Sequence, residues 1–389
     1  VICIDSNGSV HKDFENEKDR FMSAQIDSLN TYLAEKKKAL DSDRAMHFVL
    51  GNEASDLDSM ASSVMYAYYA GQATADENSP VILPLINIPR ADFKLRTEAV
   101  YLFDTTGVDL ESLLFADEVD LDRLQETNRL HLTLVDHNKL ASSQSRYQEL
   151  VEAIIDHHED EGLYPQIASR TIESVGSAAS LISEKILQDK PEFIDEGTGK
   201  LLLGTILLDT VNLDPEAKRV TPKDEEITGV LLKRTAADQK ALFDKLQFEK
   251  FNVSSLGTYD LLRKDYKEWQ MGSVKCGIGS VLMPLKAWIE KDPDISEGFA
   301  SYLKERGLDL LLAMNAYTDP DFHRDLAVFS PDQSLRQKVI AHLEAMGLGL
   351  KPIDLRELKG KGNISFFVQG DLSKSRKKLQ PILSEFLSR

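Results

Sequence analysis

At 389 residues, 42% of them hydrophobic, the chain is long enough for two domains, each with a sizeable core. Its formal net charge of −18 excludes general nucleic-acid binding, which needs a basic footprint, and no apolar run approaches the roughly 20 residues that span a bilayer. Cys3 and Cys276 stand far apart without CxxC spacing, which excludes a disulfide scaffold or thiolate zinc site; with a start that does not read as a secretory signal, a soluble cytoplasmic protein is expected.

In chain order, residues 1–45 read as one charged helix, roughly 14–40, that leads into a short apolar strand, HFVLG (47–51). MASSVMYAYYA reads as a buried helix. VILPLIN (81–87), HLTLVD (131–136) and EAIID (152–156) are further apolar runs, separated in part by helix-like segments such as QSRYQELVEAI. Helices at 177–188 and 200–213 complete this half. Strands alternating with helices predict a parallel α/β sheet covered on both faces. The charged stretch around 214–250 is the candidate connection, giving a first domain over 1–225, a linker over 226–249 and a second domain over 250–389.

The second domain opens on a helical pattern, TYDLLRKDYKEWQ. VKCGIGSVL (274–282), LDLLLAMNAY (308–317), DLAVFS (325–330) and ISFFVQG (364–370) are its strand candidates, with LRQKVIAHLEAM and SRKKLQPILSEFL as helices. A smaller mixed-sheet α/β layer is expected. Charge is uneven: residues 1–250 hold 26 Lys/Arg against 46 Asp/Glu, and residues 251–389 hold 20 against 18.

Acidic and imidazole groups gather where strands end. Asp56 and Asp58 follow the first strand in GNEASDLDS; Asp136 and His137 end another in LTLVDHNKL; Asp156, His157 and His158 end a third in AIIDHHED. Asp209 lies in the apolar GTILLDTVNL, where an unpaired carboxylate would be destabilising unless a cation or hydrogen-bond donor meets it. Open parallel sheets place ligand sites at the carboxyl ends of their strands, so four segments deliver these groups to one region. Carboxylates with imidazole and no thiolate suit Mg²⁺, Mn²⁺ or Co²⁺. Two such ions about 3.5–4 Å apart can clamp both oxygens of an in-line phosphoryl displacement. No Walker A loop, GxSxG elbow or kinase motif set is present.

GNEASDLDS, VDHN, DHH and LLDTVN, in that order, resemble the four motifs of the DHH phosphoesterase superfamily. LVDHN, IIDHH and ESVGSAASLI are similar to family II inorganic pyrophosphatases. INIPRADFKLRTEAVYLF, LLLGTILLDTVNLD, VTPKDEE and LRKDYKEWQ look closer to cytosolic exopolyphosphatases and the prune proteins, with a DHHA2-type second domain. The resemblance implies an active site in the cleft between the domains. It implies that Asp58, Asp136, His157 and Asp209 hold one metal, and Asp56 and Asp136 the other. His158 would contact phosphate and assist proton transfer, and Arg376 and Lys377, in SRKK (375–378), would grip phosphate. Family II pyrophosphatases have a histidine where this chain has Asn52, whose side chain offers a hard carbonyl oxygen or no bond at all. Activity with Mg²⁺ is therefore expected.

Beside the resemblance, Arg376, Lys377 and Lys378 fall in the first turn of a predicted helix. Cations there oppose the helix dipole but favour an anion. Gly176 and Ser177 open another predicted helix and could offer backbone N–H groups to phosphate. Arg90 and Arg96 are candidates for a polyanion track, Asn52 is placed among the substrate-side residues, and His137 is either a substrate contact or a support for a ligand. The expected protein is a monomeric exopolyphosphatase with two divalent ions and no membrane or nucleic-acid partner. The alternatives are a hydrolase of pyrophosphate or short phosphate chains, or an interaction protein with weak catalysis.

Overall fold

The apolar runs of the N-terminal half form five strands, β1 (Met46–Leu50), β2 (Val81–Leu85), β3 (Leu130–Val135), β4 (Val151–Asp156) and β5 (Ser169–Ile172). They pair in parallel, in the order β2-β1-β3-β4-β5. These are features of a computed structural model that describes residues 13–73, 79–318, 320–353 and 363–388. Helices α1 (Asp13–Lys38), α2 (Leu57–Ala73), α3 (Arg90–Phe93), α4 (Thr97–Thr105), α5 (Leu121–Glu126), α6 (Ala178–Asp189), α7 (Glu196–Asp209), α8 (Pro222–Thr235) and α9 (Gln239–Phe251) accompany the sheet.

Alternate strand residues enter two cores, as the pleat requires. Val49, Val135 and Ile155 pack in the cluster containing Val64, Ile182 and Leu203; Phe48, Leu50, Leu134 and Ile154 pack in the other, with Leu83, Leu124 and Tyr147. The strand order reverses at β1, which has β2 on one side and β3 on the other. A crevice opens at such a reversal, outside the carboxyl ends of the strands. The Asp56–Asp58 segment leaves β1 there, and Asp136 leaves β3.

Three local expectations change. The 200–213 helix is α7, which starts earlier because Asp195 caps it by accepting the Thr198 N–H, and stops at Asp209. Val211, Asn212 and Leu213 then take φ of 53°, 59° and 62°, three successive left-handed residues that no helix can include. QSRYQELVEAI is a run of 3₁₀ turns ending at Leu150, after which the chain enters β4. The 226–249 segment is helical rather than a linker: it spans most of α8 and α9, and Leu246 is fully buried in the first core. The chain divides between Lys250 and Phe251.

The second unit contains α10 (Thr258–Lys264), β6 (Tyr266–Met271), β7 (Val274–Val281), α11 (Leu285–Lys291), α12 (Ile295–Arg306), β8 (Leu310–Thr318), β9 (Phe322–Phe329), α13 (Gln333–Ala345), β10 (Leu350–Pro352), β11 (Ile364–Gln369) and α14 (Arg376–Leu387). Its sheet has the order β10-β11-β9-β8-β7-β6 and is mixed, only β7 and β8 being parallel. TYDLLRKDYKEWQ is thus half helix and half strand. Cys276 is free and buried; Cys3 lies outside the described residues. Among the described residues no helix is long and apolar enough to cross a membrane.

Candidate active site

Four segments of the first unit meet around a pocket of about 420 Å³ whose lining includes Asp56, Asp58, Asp136, His157, His158 and Asp209. Asp56 precedes α2 and accepts the Ser59 N–H at 3.2 Å, as a helix cap does. Asp58, 2% exposed, lies across the start of α6: its oxygens accept the N–H groups of Ala178 at 2.6 Å and Ala179 at 2.9 Å, and the Ser62 hydroxyl at 3.0 Å. A helix N-terminus favours the charged carboxylate.

Asp136 holds a left-handed backbone, φ 60°, directly after β3. Its Oδ2 accepts the Ser59 hydroxyl at 2.6 Å and the Asn52 amide at 2.8 Å. Its Oδ1 faces His157 Nε2 at 3.1 Å, while His157 Nδ1 lies 2.9 Å from the Val175 carbonyl. A carbonyl only accepts, so the neutral ring carries its proton on Nδ1 and turns a lone pair on Nε2 towards Asp136 and Asp58.

Asp156 serves differently. It is 0% exposed, and its Oδ1 accepts the His157 N–H, the His158 N–H and His158 Nδ1 at 2.8, 3.2 and 2.9 Å; Oδ2 accepts the Asn138 amide at 2.5 Å. These bonds fix the His158 ring and leave Nε2 without a hydrogen-bond partner among the described residues, its side chain 56% exposed. Asp209 ends α7 with Oδ2 buried and without a hydrogen-bond partner among the described residues.

Burial and mutual repulsion raise the carboxyl pKa values. Asp136 is pushed up to about 7, by burial first and Asp58 next. Asp58 is raised by burial and by Asp56, against the opposing pull of His157. Asp209 is raised well above the carboxylate range by burial, then Asp58 and Asp56. Burial works against a charged His157, yet Asp136 and Asp58 prevail and lift it to about 10. The site is short of positive charge. Divalent cations fit it: they would meet the unpartnered Asp209 oxygen and the His157 lone pair, and would replace the protons these groups otherwise retain. Atoms of Asp136, His157 and His158 also come within 4.8 Å of one another, but His158 Nδ1 is already held by Asp156.

Other expected residues take different roles. Asn52 Oδ1 accepts the N–H groups of Ala54 and Ser55 at 2.9 and 3.0 Å, while its amide nitrogen donates to Asp136. It supports Asp136 and offers phosphate no free group. His137 Nδ1 pairs with the Val135 carbonyl, its Nε2 is buried without a partner, and burial lowers its pKa. The Val135 carbonyl takes the Nδ1 proton, so the neutral ring carries a lone pair on the buried Nε2. The Gly176 N–H donates to Asp224 at 2.8 Å and is also taken. Ser177 is buried, and its hydroxyl favours the charged form of Asp209. Arg90 pairs with Glu118 and the Leu113 carbonyl; Arg96 donates to the Ser55 and Ala54 carbonyls and braces the Asp56 loop.

In the second unit, Arg376 opens α14 as expected, but its guanidinium donates to the Asp265 carbonyl at 2.7 Å and carboxylate at 2.6 Å. Lys377 and Lys378 follow it, exposed. The sequence gives no sign of Lys218 and Arg219, which line the pocket of carboxylates and imidazoles, or of Ser59 and Asp224, which hold its walls. Asp224 lies in a TPKDEE cap pattern that reads as a helix start alone; the lysine and arginine sit in a charged stretch with no local sign of their destination.

Residues 47–206 match the DHH family, N-terminal domain, and residues 244–386 match the DHHA2 domain. The chain is 36% identical over 367 residues to exopolyphosphatase PRUNE1 of Mus musculus, covering 92% of this chain and 79% of that protein. It is 35% identical to the Homo sapiens protein of the same name, covering 92% and 80%. It is 25% identical over 277 residues to the manganese-dependent inorganic pyrophosphatase of Methanocaldococcus jannaschii, covering 69% of this chain and 81% of that one. With both domains matched in order and relatives more than a third identical along nearly its whole length, the chain belongs to the DHH family, in the group that joins a DHH domain to a DHHA2 domain.

Proposed function

We propose that this protein is an exopolyphosphatase, hydrolysing the terminal phosphoanhydride bond of inorganic polyphosphate and releasing orthophosphate. The observation that carries the reading is the meeting of Asp58, Asp136, His157 and Asp209 in one pocket with too little positive charge to balance them. The relatives named exopolyphosphatase supply the substrate class. Asp58, Asp136, His157 and Asp209 would hold one divalent ion, and Asp56 and Asp136 a second. Ions so held supply Lewis-acid charge at the phosphoryl oxygens and lower the pKa of water to near neutrality.

The protein's own residues supply orientation and a proton. Ser59 and Asn52 hold one oxygen of Asp136, directing the other to the ligand side. Asp156 keeps the proton on His158 Nδ1 and raises the pKa of the ring, so Nε2 can carry a second proton to the leaving phosphate oxygen. Arg376, Lys377 and Lys378 are the second unit's candidates for phosphate contact. An oxygen-rich ligand set suits Mg²⁺, with Mn²⁺ or Co²⁺ as substitutes.

Hydrolysis of pyrophosphate or short chains is the second reading, favoured by the relative named as a pyrophosphatase. The deciding measurement is phosphate release from pyrophosphate and from polymers of defined length, with each ion in turn. Terminal release from long chains is expected, with Asp136→Asn slower by about a hundredfold or more. Faster cleavage of pyrophosphate than of any polymer would pass the assignment to the second reading. Silence on every substrate with all three ions would end both.

A further inference from the structure

We propose that Lys218 and Arg219 are phosphate-binding cations of the first unit, taking the anionic oxygens of a polyphosphate substrate at the wall of the metal-ligand pocket. The assignment rests on the polyphosphate reading above. Both residues line the pocket that holds Asp56, Asp58, Asp136 and Asp209, and both are exposed. Neither side chain makes a hydrogen bond or ion pair among the described residues. Arg90, Arg96 and Arg376, by contrast, are each held by protein acceptors. Charge counting favours the same two residues. The four carboxylates would balance two divalent ions and leave the substrate's negative charge uncompensated, and Lys218 and Arg219 are the lysine and the arginine that line that pocket.

Their position is built. The route from Asp209 to Arg219 runs through the left-handed residues Val211, Asn212 and Leu213 and a fourth, Lys218, at φ 54°. Each such residue is disfavoured by its own side chain and persists only where its surroundings over-determine it. At the near end the Asn212 N–H donates to the Leu207 carbonyl at 2.7 Å and the Leu213 N–H to the Thr210 hydroxyl at 3.2 Å; at the far end Asp224, 0% exposed, accepts the Gly176 N–H, the Ser180 hydroxyl, the Thr221 N–H and the Thr221 hydroxyl at 2.8, 2.5, 2.8 and 2.7 Å. The Arg219 carbonyl presses on Gly176, where an added Cβ would lie 2.5 Å from it. Gly176 follows Val175, whose carbonyl orients His157. One scaffold therefore sets a metal ligand on one side and the two cations on the other.

The test compares the full-length protein with Lys218→Ala, Arg219→Ala, the double variant, Arg219→Lys, and Glu216→Ala as a control on the same loop. Two quantities are read: calorimetric binding of inorganic phosphate with Mg²⁺ present, and KM and kcat for polyphosphate. Each alanine should weaken phosphate binding and raise KM by about tenfold, the scale of one charge-assisted hydrogen bond, with kcat and melting temperature little changed. Arg219→Lys should recover part of the loss, Glu216→Ala should show none, and the difference from wild type should shrink as salt is raised. Phosphate binding by the double variant within about twofold of wild type would overturn the proposal, as would failure of the wild type to bind phosphate with metal. If wild type binds phosphate and the variants do not, yet no polyphosphate is cleaved, the hydrolase reading fails and this assignment stands. Turnover with an unchanged KM in the double variant is the reverse outcome.

Discussion

His157 Nε2 stands 3.1 Å from Asp136 Oδ1 while the opposite ring nitrogen is held by the Val175 carbonyl. Two acceptors at that separation need a proton or a cation between them. Without metal the proton serves: against the burial that lowers it, Asp136 and Asp58 lift His157 to about 10, while burial and then Asp58 push Asp136 up to about 7 against the opposing pull of His157.

A pH dependence follows from the two shifts. Asp136 binds its proton more tightly folded than unfolded, so its contribution to stability is present below 3.8 and is lost as pH rises through about 7. The His157 contribution is present below 6.5 and is lost as pH rises towards about 10. Chelator-treated protein should melt at falling temperature between about pH 5 and pH 9, and metal affinity should rise across the same window as ions displace protons. Thermal scans with and without Mg²⁺ check both. A flat metal-free profile would rule out the shared proton.

Asp209→Asn should separate stability from metal binding. The Asp209 Oδ2 is buried without a hydrogen-bond partner among the described residues, and burial, Asp58 and Asp56 oppose its charge against the smaller pull of Ser177. The amide cannot ionise, so the melting temperature of the metal-free variant should fall less with rising pH than that of wild type. Added Mg²⁺ or Mn²⁺ should then stabilise it less than wild type. An unchanged response to metal would remove Asp209 from the ligand set.

Asp156→Asn should act through His158. The Asp156 carboxylate raises the His158 pKa chiefly by its hydrogen bond. Replacing it lowers that pKa, so the alkaline limb of the pH–rate profile should move to lower pH, with kcat reduced about a hundredfold. Loss of rate without movement of the limb would assign Asp156 to structure alone.

Gly176→Ala should disturb the cation loop from the far side. Its Cβ would meet the Arg219 carbonyl and Thr210 Cγ2, each at 2.5 Å. Overpacking of this kind destabilises by about 1–3 kcal/mol, measurable by urea unfolding, and should raise KM for polyphosphate. Wild-type stability together with wild-type KM would show that Arg219 does not depend on this contact.

The sheet was legible because β1, β3 and β4 are apolar runs buried on both faces, each ending in the polar residues of the site. β5 and β6 were not, since SRTI and YKEWQM keep most of their residues partly or fully exposed and offer no apolar run. The end of α7 was hidden for another reason: TVNL continues the apolar pattern, and nothing in Val211 announces a left-handed backbone. Carboxylates and imidazoles could be grouped from their strand-end positions. The employment of the cations could not, because Arg376 finds its partner 111 residues away and the partners of Arg96 lie 41 and 42 residues away. Asn52 shows the same limit. Its type permits a carbonyl ligand, but the N–H groups of Ala54 and Ser55 claim that oxygen first.

The left-handed run after α7 links two events that a flexible loop would keep apart. The Leu207 carbonyl, the Thr210 hydroxyl and Gln239 hold residues 211–213, and Asp224 holds the far end at Thr221, so loss of both sets of bonds would carry Asp209 and the 218–219 pair away together. Release of the ion and release of the anion then become one cooperative opening, so amides from Thr210 to Thr221 should exchange with solvent as a unit.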